Sequence, residues 1–343
     1  MKILFLDEMQ QDYGSYFLFN GLCELLNEDN ILLYPFKLSY LGYTDKSYVL
    51  YPEKKRGMTC WSPYIKKRDN LRIYPLEEVV EEMSSIDLII LSSPRYYPLH
   101  ALRFIKQIYG YKIPKPLAFI DSEDSEGIRY DLLEEFKPQF IFKRELIQSI
   151  DGVHPLPFSS CLPYLPFWDE IKDLPKTLDI FALFGNTHRL RSDTVKFLME
   201  QNYANSYIGI DPGALPWQDE NRFKIPPLKG YEDYLRTMGS AKINIVIRGH
   251  GRDTVRYWEA ASFETLLLIK DPGIVIPHPY IDKVHCVYWH ELDDLKEKID
   301  YYLSHEDERV VIAKACREHT LKYHINRARA EYFLNIINGK INV

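Results

Sequence analysis

The chain has 343 residues, 46% of them hydrophobic and 27% charged, which is enough for two cores of ordinary size and excludes a disordered or fibrous protein. A net charge of −6 excludes generic nucleic-acid binding, which needs a basic surface. The five cysteines (Cys23, Cys60, Cys161, Cys286 and Cys316) are odd in number and widely spaced, with no zinc-ligand spacing, and read as reduced thiols.

Residues 2–6 read as a short buried strand and residues 15–27 as a helix, with Phe17, Leu18, Leu22, Leu25 and Leu26 at helical spacing. Asp7 and Glu8 follow that strand at once, so no signal-peptide core develops. No later run approaches the length of a membrane span, and the expected location is cytoplasmic. Strands are predicted over 32–36, 86–92 and 116–120, short apolar runs suited to parallel pairing, with helices over 98–109 and 128–136. This alternation predicts a doubly wound α/β domain over 1–165. Pro155, Pro157, Pro163, Pro166 and Pro175 deny a continuous helix or central strand to 155–175, and the interdomain linker is placed at 166–175. The pattern then restarts over 176–320, with strands at 179–184, 206–210, 243–248 and 266–269 and helices at 192–201, 231–239, 254–263 and 292–303. Two Rossmann-like domains facing a cleft are the expected fold.

The densest group of candidate residues begins at Arg248. The strand runs into Gly249, His250 and Gly251, and Asp253 is the expected cap of the helix that follows. Glycines allow close approach of backbone to phosphate, and a helix start favours an anion. Arg256 and Glu259, three residues apart, share a helix face, so the arginine can meet a diphosphate while the carboxylate accepts ribose hydroxyls. The competing reading is an ordinary Arg–Glu pair on a solvated helix. The loop lacks the third glycine of a dinucleotide fingerprint, and no such fingerprint follows the first strand, which argues against an oxidoreductase. Gly185, Asn186 and Arg189 follow the first strand of the second domain, where open sheets bind ligands, and Arg189 or Arg191 is placed to neutralise a leaving diphosphate.

From Tyr234 to Arg327 the order of features resembles the spore-maturation-protein-like bacterial glycosyltransferases with a group-1 C-terminal domain. The resemblance rests on the Gly249/Gly251 turn, Asp253, Arg256, Trp258-Glu259-Ala260, the strand 266–269, Cys286-Val287-Tyr288-Trp289, Asp293-Asp294-Leu295 and the stretch 324–327. It implies GT-B architecture, a nucleotide-diphosphate-sugar donor held mainly by the C-terminal domain, no cofactor and no essential metal. It also implies that a helix over 321–337, within a terminal segment 321–343, crosses back to the N-terminal domain, giving His324 and Arg327 structural roles. Group-1 members commonly carry two glutamates eight residues apart; Glu259 matches the second, and Gly251 stands at the first.

Asp121 and Asp124, in Asp121-Ser122-Glu123-Asp124 after a strand, are the candidate catalytic bases for an acceptor hydroxyl, with Asp7, Glu8 and Asp12 as rivals. The acidic stretch also resembles the metal-binding D-x-D of the GT-A fold, a reading that leaves the second Rossmann-like half without a role. An acidic turn exposed to water is the bland alternative. Tyr96, Tyr97, Tyr231 and Tyr234 offer faces for a sugar or base. The ten histidines show no ligand spacing, so no metal is expected. The expected reaction transfers a hexosyl-type sugar to a hydroxyl on an unidentified glycan or small-molecule acceptor. The rival is a non-catalytic GT-B-like nucleotide-binding or assembly protein.

Overall fold

A computed structural model describes residues 1–8, 12–35, 74–211, 228 and 230–339. Cys60 and the last residue of the strand expected over 32–36 lie outside them. In the first half, β1 (Ile3–Leu6), β2 (Ile31–Tyr34), β3 (Leu88–Ser92), β4 (Leu117–Asp121), β5 (Phe140–Lys143) and β6 (Val153–Pro155) form a parallel sheet in the order β2-β1-β3-β4-β5-β6. The helices α1 (Tyr13–Leu26), α2 (Leu76–Glu81), α3 (Tyr96–Ile108) and α4 (Tyr130–Phe136) connect them. Every residue of β1, β3 and β4 is buried, as expected for strands covered on both faces. The proline-rich stretch holds only the edge strand β6, a short 3-10 turn and the four-residue helix α5 (Trp168–Ile171).

The second half begins with β7 (Leu178–Gly185), α6 (Arg189–Glu200) and β8 (Ser206–Asp211), then α7 (Tyr231–Gly239), β9 (Ala241–Val246), α8 (Val255–Ala261), β10 (Leu266–Lys270) and β11 (Val287–Trp289). Its sheet is parallel, in the order β11-β10-β9-β7-β8. Three helices close the chain: α9 (Leu292–Ser304), α10 (Glu306–Tyr323) and α11 (Asn326–Ile337).

The helix expected over 321–337 is therefore two helices. The break has a cause in the proline-rich stretch. Ser160 N–H donates to the His324 carbonyl at 2.7 Å and Asn326 N–H donates to the Ser160 carbonyl at 3.1 Å, holding Ile325 in extended conformation between α10 and α11. His324 is fully buried at this break rather than within a helix. Arg329 can only donate, so His324 Nδ1 accepts from it at 3.0 Å, and Nε2 carries the proton donated to the His278 carbonyl at 2.8 Å. After the break, α11 lies on α1, where Gly21 is essential because a Cβ there would collide with the Asn326 carbonyl and approach Ala330 Cβ at 2.8 Å. This helix thus packs on the first one.

Candidate functional site

In the C-terminal sheet, β7 lies beside both β8 and β9, so the connections leave in opposite directions from the carboxyl ends of β7 and β9. Such a switch point opens a crevice in a parallel sheet. The loop containing Gly185 and Asn186 and the loop from Arg248 to Gly251 meet there, joined by Arg191. Its guanidinium donates four hydrogen bonds: to the carbonyls of Arg248 (2.8 Å), Ile247 (3.2 Å) and Gly185 (3.2 Å) and to Thr187 Oγ1 (2.9 Å). Gly249 permits this approach, since a Cβ there would lie 3.1 Å from Arg191 Nη2 and 3.2 Å from Thr187 Oγ1. Asn186 Oδ1 accepts from Ser192 Oγ at 2.9 Å, which steadies the first loop. Arg189 takes no part: its side chain is 91% exposed and pairs with Asp193 at 3.4 Å. The inward cation is Arg191.

All four acceptors of Arg191 are neutral. Burial, together with the neighbouring Arg256 cation, lowers its guanidinium to about 10, which leaves it charged at neutral pH. Arg248 donates through Nη2 to the His250 carbonyl at 3.0 Å, and its buried Nε has no partner. Arg256 lies over the Phe184 ring at 4.7 Å, with Phe181 and Tyr234 each at 5.6 Å, and its buried Nη1 is also unpartnered. Among the described residues, none of the three arginines pairs with a carboxylate. His188 caps α6, its Nδ1 accepting from Leu190 N–H at 3.1 Å, and burial plus Arg248, Arg191 and His250 hold it below the usual imidazole range. His250 is exposed at the loop tip. The crevice concentrates positive charge and open donors, which is what an anion requires.

The solvated Arg–Glu pair is not what forms on α8. Glu259 is 4% exposed and its carboxylate accepts from the Tyr231 hydroxyl at 2.6 Å and the Tyr234 hydroxyl at 3.4 Å, beneath two rings stacked at 6.0 Å. A hydroxyl-binding carboxylate beside aromatic faces suits a nucleoside, with the tyrosine hydroxyls as the groups a ribose would displace.

Two expectations about the start of α8 are corrected. Thr254, not Asp253, is the N-cap, without a side-chain capping bond. Asp253 turns away from the crevice, accepting from the Phe158 N–H at 2.6 Å and the Trp258 indole N–H at 2.8 Å, while its own N–H donates to Glu145 Oε1 at 3.1 Å. Burial pushes its carboxyl above the usual range against the opposing pull of Arg144. The Asp253 N–H and carboxylate therefore serve the contact with the N-terminal half. Within the glycine turn, the Gly249 N–H donates to the Gly251 carbonyl at 2.9 Å, so arginine side chains supply the open donors identified in the crevice.

Across this contact Arg144, 2% exposed, donates to the carbonyls of Ser122 (2.8 Å) and Asp253 (3.1 Å), pairs with Glu145 at 3.0 Å and with Asp124, and stacks on Phe158 at 4.5 Å. Gly251 lies against these carboxylates: a Cβ there would collide with Glu145 Oε1 and Asp124 Oδ1. The two candidate bases separate by environment. Asp121 is buried in an ion pair with Lys143 at 3.0 Å, both side chains at most 2% exposed, and is shielded from any acceptor; its role is structural. Asp124 is 54% exposed on its side chain. Among the rivals, Asp12 caps α1 through Ser15 N–H and accepts from Ser122 Oγ at 2.8 Å. Glu8 accepts from the Tyr97 N–H at 3.3 Å. Tyr96 and Tyr97 are exposed on the N-terminal half. Among the described residues there is no group of three or more His, Cys, Asp or Glu side chains arranged to hold a metal, and no helix is long and apolar enough to cross a membrane.

Arg144 and Thr187 join the candidate site with no sequence motif to mark them, and of the two arginines offered at the start of α6 the inward one is Arg191. A signal existed for Arg191: with Thr194, Val195 and Leu198 it completes the i, i+3, i+4, i+7 buried stripe of α6, whereas Arg189 lies off that stripe.

Residues 176–335 match the glycosyl transferase-like family. No curated protein matches the chain. Among solved structures, it is similar to a glycosyltransferase from Rickettsia africae ESF-5, with a TM-score of 0.63 at 12% identity over 98% of each chain. It is similar to Anabaena Alr3699/HepE, determined in complex with UDP-glucose, with a TM-score of 0.62 at 12% identity over 99% of this chain and 100% of that one. A sucrose-phosphate synthase from Thermosynechococcus elongatus matches with a TM-score of 0.56 at 11% identity over 99% of each chain. The shared architecture is the GT-B fold, two parallel sheets each wrapped by helices.

Proposed function

We propose that this chain is a cytoplasmic glycosyltransferase of the spore-maturation-protein-like group, moving a sugar, of hexosyl type, from a nucleoside-diphosphate donor to an acceptor hydroxyl without a metal ion. The observation that carries the reading is the crevice at the β7/β9 switch point, where Arg191, Arg248 and Arg256 converge with no ion pair to a carboxylate among the described residues. Three fixed cations can stabilise the charge that develops on a departing nucleoside diphosphate, the task that a divalent ion performs elsewhere. Glu259, with Tyr231 and Tyr234, would hold the ribose and base beside them. The match of residues 176–335 to the glycosyl transferase-like family and the fold shared with a UDP-glucose complex support the same donor class. The acceptor falls to the N-terminal half across the cleft.

Isothermal titration with UDP, with and without chelator, tests the reading, followed by an assay of UDP-glucose turnover with mixed acceptors. UDP binding that survives chelation, with turnover, is expected. A chelator-dependent loss of more than about tenfold in affinity, roughly 1.4 kcal/mol, would point to metal chemistry instead. Binding without turnover would favour a nucleotide-binding protein that has lost transfer.

A further inference from the structure

Resting on that donor site, we infer that Asp124 of the N-terminal half is a specificity-determining residue that binds the hydroxyls of the transferred sugar. The charge of the crevice reverses across a single turn. Gly249 packs on the Arg191 guanidinium, which is bonded to the Arg248 carbonyl and has Arg256 as a neighbouring cation, whereas two residues on Gly251 packs directly on Asp124 and Glu145. A nucleoside-diphosphate sugar has the same order of parts, an anionic diphosphate followed by a neutral polyol. The sugar of a diphosphate held by the arginines falls at the carboxylate end of the turn.

The two carboxylates differ in what they can offer. Glu145 is 1% exposed and is engaged by the Arg144 guanidinium and the Asp253 N–H. Asp124 has a half-exposed side chain, and Arg144 holds only its Oδ1, leaving Oδ2 without a hydrogen-bond partner among the described residues. Arg144 is itself fixed by the Ser122 and Asp253 carbonyls, so the Asp124 carboxylate is oriented before any ligand arrives. A carboxylate oxygen of that kind accepts hydroxyl hydrogens, and orientation in advance reduces the entropy lost on binding. Gly251 is the condition for the arrangement, because any side chain there would push both carboxylates off the turn. The residue therefore belongs to one half of the molecule while the diphosphate it serves belongs to the other, so sugar recognition requires both halves in contact.

The test compares UDP with UDP-glucose on the full chain and on Asp124→Asn, whose amide oxygen still accepts from Arg144. The expected result is unchanged UDP affinity and a loss of about tenfold for UDP-glucose, the scale of one charged hydrogen bond. Equal losses for both ligands, or none for either, overturn the inference while leaving the diphosphate site intact. Failure of the wild type to bind UDP overturns the donor site itself, and this inference with it. Should Asp124→Asn not fold, UDP-glucose analogues lacking one sugar hydroxyl at a time are titrated on the wild type. One of them is expected to bind about tenfold more weakly, and uniform affinity across the series rejects the assignment.

Discussion

Arg191 Nε donates to the Arg248 carbonyl at 2.8 Å and so ties the helix after β7 to the loop after β9. This bond, with the three others from the same guanidinium, closes the base of the proposed diphosphate crevice. A lysine keeps the charge but cannot reproduce the planar fork. Arg191→Lys is expected to weaken UDP binding by about tenfold or more in a calorimetric titration. Unchanged affinity would separate the lacing of these loops from ligand binding.

Arg256 offers the opposite test, in which stability and function part company. Its Nη1 is buried without a partner and its body lies on Phe184. An apolar side chain of similar length removes an unsatisfied donor, a change worth about 1 kcal/mol in favour of folding, while removing a phosphate contact. Arg256→Met should therefore hold or raise the urea midpoint and still lose most UDP affinity. A variant that binds UDP like the wild type shows that the open donor does not serve the diphosphate.

The contact between the halves depends on Asp253, because its carboxylate takes the Phe158 and Trp258 N–H groups and faces Arg144. Asp253→Ala leaves two buried donors and a buried cation with reduced compensation, for an expected cost of about 3–5 kcal/mol in chemical denaturation. A loss below about 1 kcal/mol would mean that the interface relaxes around the deletion.

His324 makes stability pH-dependent with a defined sign. Burial first, then Arg329, holds its pKa well below the usual 6.5, and the neutral ring is required because Nδ1 must accept from Arg329. Below about pH 6.5 the unfolded chain takes up a proton that the folded chain refuses, so stability falls as pH drops, with a limiting slope of about 1.4 kcal/mol per pH unit for one group. His154, His188, His278 and His285 are also lowered, mainly by burial, and act in the same direction. Urea titrations between pH 5 and 7 should show a shallower slope for His324→Gln than for the wild type, by up to about one proton. Identical slopes would locate the acid sensitivity elsewhere.

Local pattern was sufficient for the alternation of strands and helices. The runs at Leu88–Ser92 and Leu178–Gly185 are apolar over a strand's length, and nothing distant is needed to make them strands. The same local logic put Arg256 and Glu259 on one turn of a short helix, but it left Arg189 and Arg191 as alternatives, and only the buried face of α6 decides for Arg191. What the tertiary structure alone decided is which partner each polar group meets. Asp253 resembles a helix cap in sequence, yet its carboxylate goes to Phe158, 95 residues away, and His324 leaves the helical path because Ser160 of the proline-rich stretch pairs with the backbone around it. Asp121 and Asp124 are three residues apart in one acidic stretch, but Lys143 neutralises the first in the core while Arg144 holds the second at the turn of the other half. Hydrophobic period acts through neighbours along the chain, whereas a buried carboxylate or guanidinium is satisfied by whatever the packed halves bring within about 3 Å, and that meeting exists only after both sheets have formed.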